Sequence, residues 1–240
     1  MSTRFCITIL FWAILSPQAH AAKLSAGLTG ADVDRVVEVI GLSSTGRLLR
    51  SAEAYESWPG VKIGFEVNLV PGRNLNTLGD GTGTLNSITP SPRLYIAKGL
   101  FYDIELILNF FPPSEVNAIA SFSAFLKHTF YQEQSSWLSG AFFLGLTTID
   151  GFSGNYKGTN VEVGMVISRD YVRLKPFVGL SALFARGELG QGFVTGRNTS
   201  TVATLHAFAG AEFELPLNMS FQVDLFNLAF GGSLFIGKHF

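Results

Sequence analysis

Charged side chains two or four residues apart recur at four places in a chain that is otherwise poor in them. Lys62 and Glu66, Asp103 and Glu105, Arg173 and Lys175, and Glu212 and Glu214 form these pairs, and Asp224 follows the last. Either spacing puts both members on one face of an extended strand. Charges gathered on one sheltered face have three chemistries open to them. They can neutralise one another, because a partly buried ion needs a partner. They can ring a constriction that selects small solutes. They can also hold a segment of opposite charge, and Arg35, Arg47 and Arg50 lie upstream as candidates to meet Glu212 and Glu214. Mutual pairing within a narrow interior is the expected outcome.

Acid–base chemistry centres on His206, with Asp224 expected near it. His128 and His239 fall toward strand ends. A catalytic base needs an oriented nucleophile within hydrogen-bond reach, and none is evident here. A histidine in a polar network is therefore the expectation, and no enzymatic activity. GDGTG (79–83) lacks the lysine and the strand–helix setting of a phosphate loop, and the acidic spacing of a calcium loop. Neither a cofactor nor a metal site is expected.

The elements that position these residues follow from composition and period. MSTR, the apolar run FCITILFWAIL (5–15) and small residues at Ala19 and Ala21 read as a signal peptide, residues 1–21, cut after Ala21. The apolar run is too short to span a bilayer as a helix. The sole cysteine, Cys6, leaves with it, so no disulfide or thiolate metal site is available to the remainder. A net charge of −1 argues against nucleic acid as a partner. Hydrophobic residues make up 47% of the chain and charged residues 15%, yet no later run is long enough for a membrane helix.

The apolar residues alternate instead. In VKIGFEVNL (61–69) Val61, Ile63, Phe65, Val67 and Leu69 oppose Lys62, Gly64, Glu66 and Asn68. DIELILNF (103–110) and YVRLKPFVGLSALFARG (171–187) repeat the pattern, and VEVGMVIS, FQVDLF and LYIA follow it. A period of two explains these segments and a period of 3.6 does not. Short breaks (99–103, 131–136, 168–171, 215–218) alternate with long ones (71–92, 149–159, 186–198), the brief 111–115 and 229–232 taking long-side positions. About ten antiparallel strands result, with eight or twelve as alternatives.

With its signal peptide, alternating strands and terminal GGSLFIGKHF, the stretch 59–240 resembles the small bacterial outer-membrane β-barrels. That resemblance implies an all-β, up-and-down transmembrane barrel with long loops outside the cell and the C-terminus in the periplasm. It implies outer-membrane lipid and the barrel-assembly machinery as partners, with Phe240 as the assembly signal. The expected role is structural or surface-exposed, with a lumen largely filled by polar and charged side chains; a narrow, porin-like passive pore is the alternative. A hydrolase of lipid or peptide is less expected, and a soluble exported lipid carrier is a further competitor.

Residues 22–58 break the alternation. ADVDRVVEVIG spaces Val33, Val36, Val37 and Ile40 as an amphipathic helix, with a cap at Thr29 or Gly30. A second helical piece is expected over STGRLLRSAEAYES (44–57). The segment is expected in the periplasm or in the periplasmic mouth of the barrel, which would put both chain termini on that side.

Overall fold

The computed structural model describes residues 24–54, 60–71, 75–83, 88–112, 119–133, 138–226 and 229–240. The expected signal peptide lies outside them. One helix, α1 (Gly30–Ser44), precedes ten strands: β1 (Val61–Pro71), β2 (Ile88–Gly99), β3 (Ile104–Phe111), β4 (Ile119–Glu133), β5 (Leu138–Gly151), β6 (Tyr156–Arg169), β7 (Leu174–Leu189), β8 (Thr199–Phe213), β9 (Asn218–Phe226) and β10 (Ala229–His239). Each strand pairs antiparallel with its neighbours in sequence, and β1 pairs with β10, so the sheet closes into a barrel. The closing ladder runs from Lys62 opposite His239 to Leu69 opposite Gly232. Beyond it, Phe240 and Val61 exchange backbone hydrogen bonds of 2.8 and 3.3 Å.

The period of two is visible in the burial. On β5 the phenylalanine at 143 and the threonine at 147 are buried while Phe142, Leu144 and Leu146 are exposed. The same inversion repeats around the wall, where Phe65, Phe122, Val163, Leu180 and Val223 all point outward and are about half exposed. The hydrophobic interior therefore lies in the lumen.

In its half nearer the short turns, the lumen carries a collar of rings: Tyr95, Phe125, Phe143, Phe177, Phe208 and Phe235, all buried. Phe143 and Phe177 each meet Phe208 edge-on, at 6.0 and 6.4 Å, and Tyr95 meets Phe235 at 4.8 Å. Most of these rings lie over a glycine of the wall. A Cβ at Gly179 would stand 2.1 Å from Phe208 Cζ, one at Gly145 2.3 Å from Phe125 Cε1, and one at Gly237 2.3 Å from Phe235 Cζ. Inward glycines thus make the slots that let large rings lie flat in a narrow barrel.

Several boundaries differ from the sequence reading. β2 takes in Pro90 and Pro92, which read as loop. Among the described residues its pairing with β3 covers Leu94–Gly99, and the prolines stand outside that ladder, where the missing N–H costs least. β5 and β6 run on until Gly151 faces Tyr156, so the break expected over 149–159 shrinks to residues 152–155. No second helix forms in the described part of 44–57: after α1 ends at Ser44, residues 45–54 form neither helix nor strand.

We predict that Gly179→Ala displaces the Phe208 ring and lowers unfolding free energy by about 1–3 kcal/mol. The urea midpoint of the protein folded in micelles measures this. An unchanged midpoint would show that the collar tolerates a methyl group in the slot.

Candidate functional site

The lumen is occupied by the chain's own residues 24–54. Thr29 opens α1 with a reciprocal cap: its hydroxyl accepts from the Asp32 amide at 3.4 Å, and its own amide donates to Asp32 Oδ2 at 2.8 Å. The expected stripe Val33, Val36, Val37 and Ile40 is buried, packed with Leu24, Leu28, Tyr156 and Leu189. The last turn of the helix has no basic residue of its own; the Thr45 amide and hydroxyl donate to Gly41 O at 3.2 and 2.7 Å, and the carbonyls that follow are beyond the reach of helical donors. The surroundings supply them. Asn160 donates to Gly41 O at 2.9 Å, Arg47 to Leu42 O at 2.9 Å, and Arg93 to Ser43 O and Ser44 O at 3.0 and 2.9 Å.

The direction of the segment is fixed at both ends. Leu28 exchanges backbone hydrogen bonds with Phe193 and Thr195, and the Asp80 amide donates to Ala26 O at 2.9 Å. These partners lie in the connections β7–β8 and β1–β2. At the other end, Ala54 N donates to Gln132 Oε1 at 3.3 Å and Glu53 pairs with Lys175, near the short turns. The segment therefore threads the whole barrel, with α1 at the mouth of the long connections. The described chain begins and ends at opposite mouths, whereas the sequence reading put both termini on one side.

Residues 46–54 explain why the second helix is missing. Their backbone groups bond to the wall instead of to one another. Amides of Gly46, Arg47, Leu49, Ser51 and Ala52 donate to Ser123, Glu66, Gln222, Glu212 and Ser168 at 2.9–3.3 Å. Carbonyls of Leu48, Ser51 and Ala52 accept from Tyr95, Lys127 and Thr129 at 2.7–3.2 Å. Leu48, Leu49 and Ala52 fill the aromatic collar. Leu49 has φ +49, a left-handed conformation that costs a leucine roughly 1–2 kcal/mol and persists where the surroundings impose it.

Ions complete the filling. Arg47 Nε lies 3.3 Å from Asp224, and its guanidinium 4.8 Å from the centre of the Phe226 ring. Arg50 lies 2.8 Å from Glu105 and 3.9 Å from Glu212. Lys62 meets Glu212 at 2.6 Å and Lys127 meets Glu105 at 2.8 Å. All seven residues are nearly inaccessible. Of the sequence candidates, Lys62, Glu66, Glu105, Lys175, Glu212 and Asp224 face the lumen, and Glu214 pairs with Lys175 at 2.7 Å near its mouth. Asp103 and Arg173 do not belong to the network. Asp103 sits in the β2–β3 turn at φ +56 and Arg173 in the β6–β7 turn, both exposed. Alternation had been extended past the strand ends. Arg50 reaches Glu212 as anticipated, Arg47 takes Asp224, and Arg35 bonds to Glu38 on the helix itself at 2.9 Å.

The sequence reading missed Arg93, Lys127 and Glu162. Lys127 shares parity with Phe125, and Glu162 interrupts the apolar pattern of β6, so both were accessible to a strict count. Arg93 was hidden by the prolines beside it.

His206 and Asp224 do meet, Nε2 lying 2.8 Å from Oδ1. On the other side Nδ1 lies 2.9 Å from Glu162 and 3.1 Å from Ser181 Oγ. The Ser181 hydroxyl donates to Glu162 at 2.6 Å, so its proton is directed at a carboxylate. The imidazole is stacked on Phe226 at 4.2 Å, and all four polar groups are buried. The arrangement is a closed polar network. Among the described residues no group of three or more metal-binding side chains is assembled.

No protein-family model matches the chain, and no curated protein matches it either. Among solved structures, Neisserial surface protein A is similar at 9% identity and a TM-score of 0.30, over 74% of this chain and 92% of that one. Ail, the attachment invasion locus protein of Yersinia pestis, is similar at 14% identity and a TM-score of 0.29, over 75% and 94%. At these scores the likeness adds nothing to what the closed barrel itself shows about the fold, and it is silent about role.

Removing Arg50 would leave Glu105 with Lys127 and Glu212 with Lys62, and a cavity between them. Arg50→Ala is expected to cost about 2–5 kcal/mol, as truncation of a buried side chain does, and Arg50→Met to recover part of it. Urea midpoints of both variants in micelles test this; equal losses would show that the charge of Arg50 matters and its bulk does not.

Proposed function

We propose that this protein is an outer-membrane β-barrel of structural or surface-exposed role, closed by its own N-terminal segment and without catalytic activity. The observation that carries the reading is the two-sidedness of the wall. Its outward face is an apolar belt fit for lipid, and its inward face is polar, charged and filled. The Ser181 hydroxyl engaged by Glu162, deep in the lumen, supports the absence of catalysis. The paired ions of the plug favour a closed barrel over a passive pore.

The orientation proposed follows the rule that long connections face outward in such barrels. The C-terminus then lies in the periplasm with Phe240 as the signal to the assembly machinery, and outer-membrane lipid surrounds the belt. Leu24, however, stands at the outer mouth, so removal of a signal peptide after Ala21 would leave the new N-terminus at the cell surface.

Three measurements bear on this reading. The protein should need detergent for extraction and show a heat-dependent shift on a denaturing gel; extraction by buffer alone would favour a soluble carrier. In planar bilayers the native chain should be silent, and the double variant Arg47→Ala, Arg50→Ala should conduct. An epitope placed just before Leu24 should bind antibody on intact cells, while one after Phe240 should not; the reverse pattern would invert the orientation.

A further inference from the structure

We infer that the lumen is a binding site for an extended peptide of the form Arg-Leu-Leu-Arg, occupied in the resting protein by its own Arg47-Leu48-Leu49-Arg50. The wall treats this stretch as a receptor treats a ligand. Side chains of four different strands, not a neighbouring backbone, satisfy its amides and carbonyls, and two further strands hold Ser51 and Ala52 just beyond it. Two acidic sockets, Asp224 above and Glu105 with Glu212 below, receive the two guanidinium groups. Between them the ring collar takes the leucine pair. Main-chain bonds give such a site affinity and spaced side-chain pockets give it specificity.

The barrel itself does not use the segment to close, since β1 and β10 complete their ladder directly. The occupant is thus separable from the wall in a way a core strand is not. Its bulky part, α1, already stands at the mouth of the long connections, and only the slender extended part runs through the collar. Withdrawal and re-entry through that mouth require no opening of the sheet.

The proposal rests on the plugged-barrel reading, and one experiment separates the two. A protease recognition sequence is inserted between Ala54 and Gly60, and the full-length protein is folded in micelles before cutting. Synthetic peptide 24–54 with a fluorophore is then the probe. Intact protein should reject it; uptake before cutting would refute the plugged barrel itself. Cut protein should exchange its resident piece for the probe while the heat-dependent gel shift is retained. An unlabelled competitor carrying Arg35→Ala should compete fully, because Arg35 bonds only along α1. A competitor carrying both Arg47→Ala and Arg50→Ala should be weaker by roughly thirtyfold or more. Rejection of the probe by cut protein at every temperature up to barrel unfolding overturns the inference. So does equal competition by the arginine-free peptide.

Discussion

The ladder between β1 and β10 is the constraint on which the rest of the molecule depends. Once the last strand bonds to the first, no backbone donor or acceptor is left along an open edge. Every side chain is then sorted to one of two sides. Outward residues must suit their surroundings alone, and a belt of leucine, valine and phenylalanine does so in lipid. Inward residues face a space of fixed width and must fill it together. The glycine slots beneath Phe125, Phe208 and Phe235 are one answer to that geometry. The threaded segment is the other.

Filling a narrow space with a peptide raises a polar problem, since its amides and carbonyls lose water on entry. The wall meets this with Gln222, Ser168, Thr129, Tyr95 and Lys127 for the extended part, and with Asn160 and Arg93 for the end of the helix. Opposite charges meet at the same depth: Arg50 and two lysines around Glu105 and Glu212, Arg47 against Asp224. Deprived of one of these carboxylates, the network would hold an ion with neither water nor counterion. Its members are therefore coupled, although they come from opposite ends of the sequence.

Period-two alternation made the barrel, its strand count and most lumen-facing charges legible from the residues alone, because parity is a property each strand carries by itself. Strand ends are not such a property. Asp103 and Arg173 follow the parity of their neighbours, but a left-handed turn at Tyr102–Asp103 and the tight turn at Val172 remove them from the wall. Pro90 and Pro92 misled in the opposite sense, since their place outside the β2–β3 ladder shows only when β3 is in place. The helix of residues 30–44 was readable from its stripe and cap. The non-helical course of 45–54 was not, because its helix propensity is overridden by hydrogen-bond donors that assemble only in the closed barrel. The pairing of Arg50 with Glu212 was anticipated from charge; its place through the full length of the lumen was not.

The threading carries a consequence for the order of events as the protein forms. Residue 61 begins β1 at the mouth of the short turns, yet α1, which precedes it in the chain, stands at the other mouth. An α-helix with its side chains is about 10–12 Å across, and the collar of rings leaves no such bore. The helix thus cannot be drawn through after the sheet has closed. As a helix it must be laid along the wall of β6–β8 while β1 and β10 are still apart, and the meeting of those two strands is the step that bars its way back to the mouth of the short turns. Closure of the barrel is in this sense also a choice of side, β10 fixing the mouth at which α1 stands.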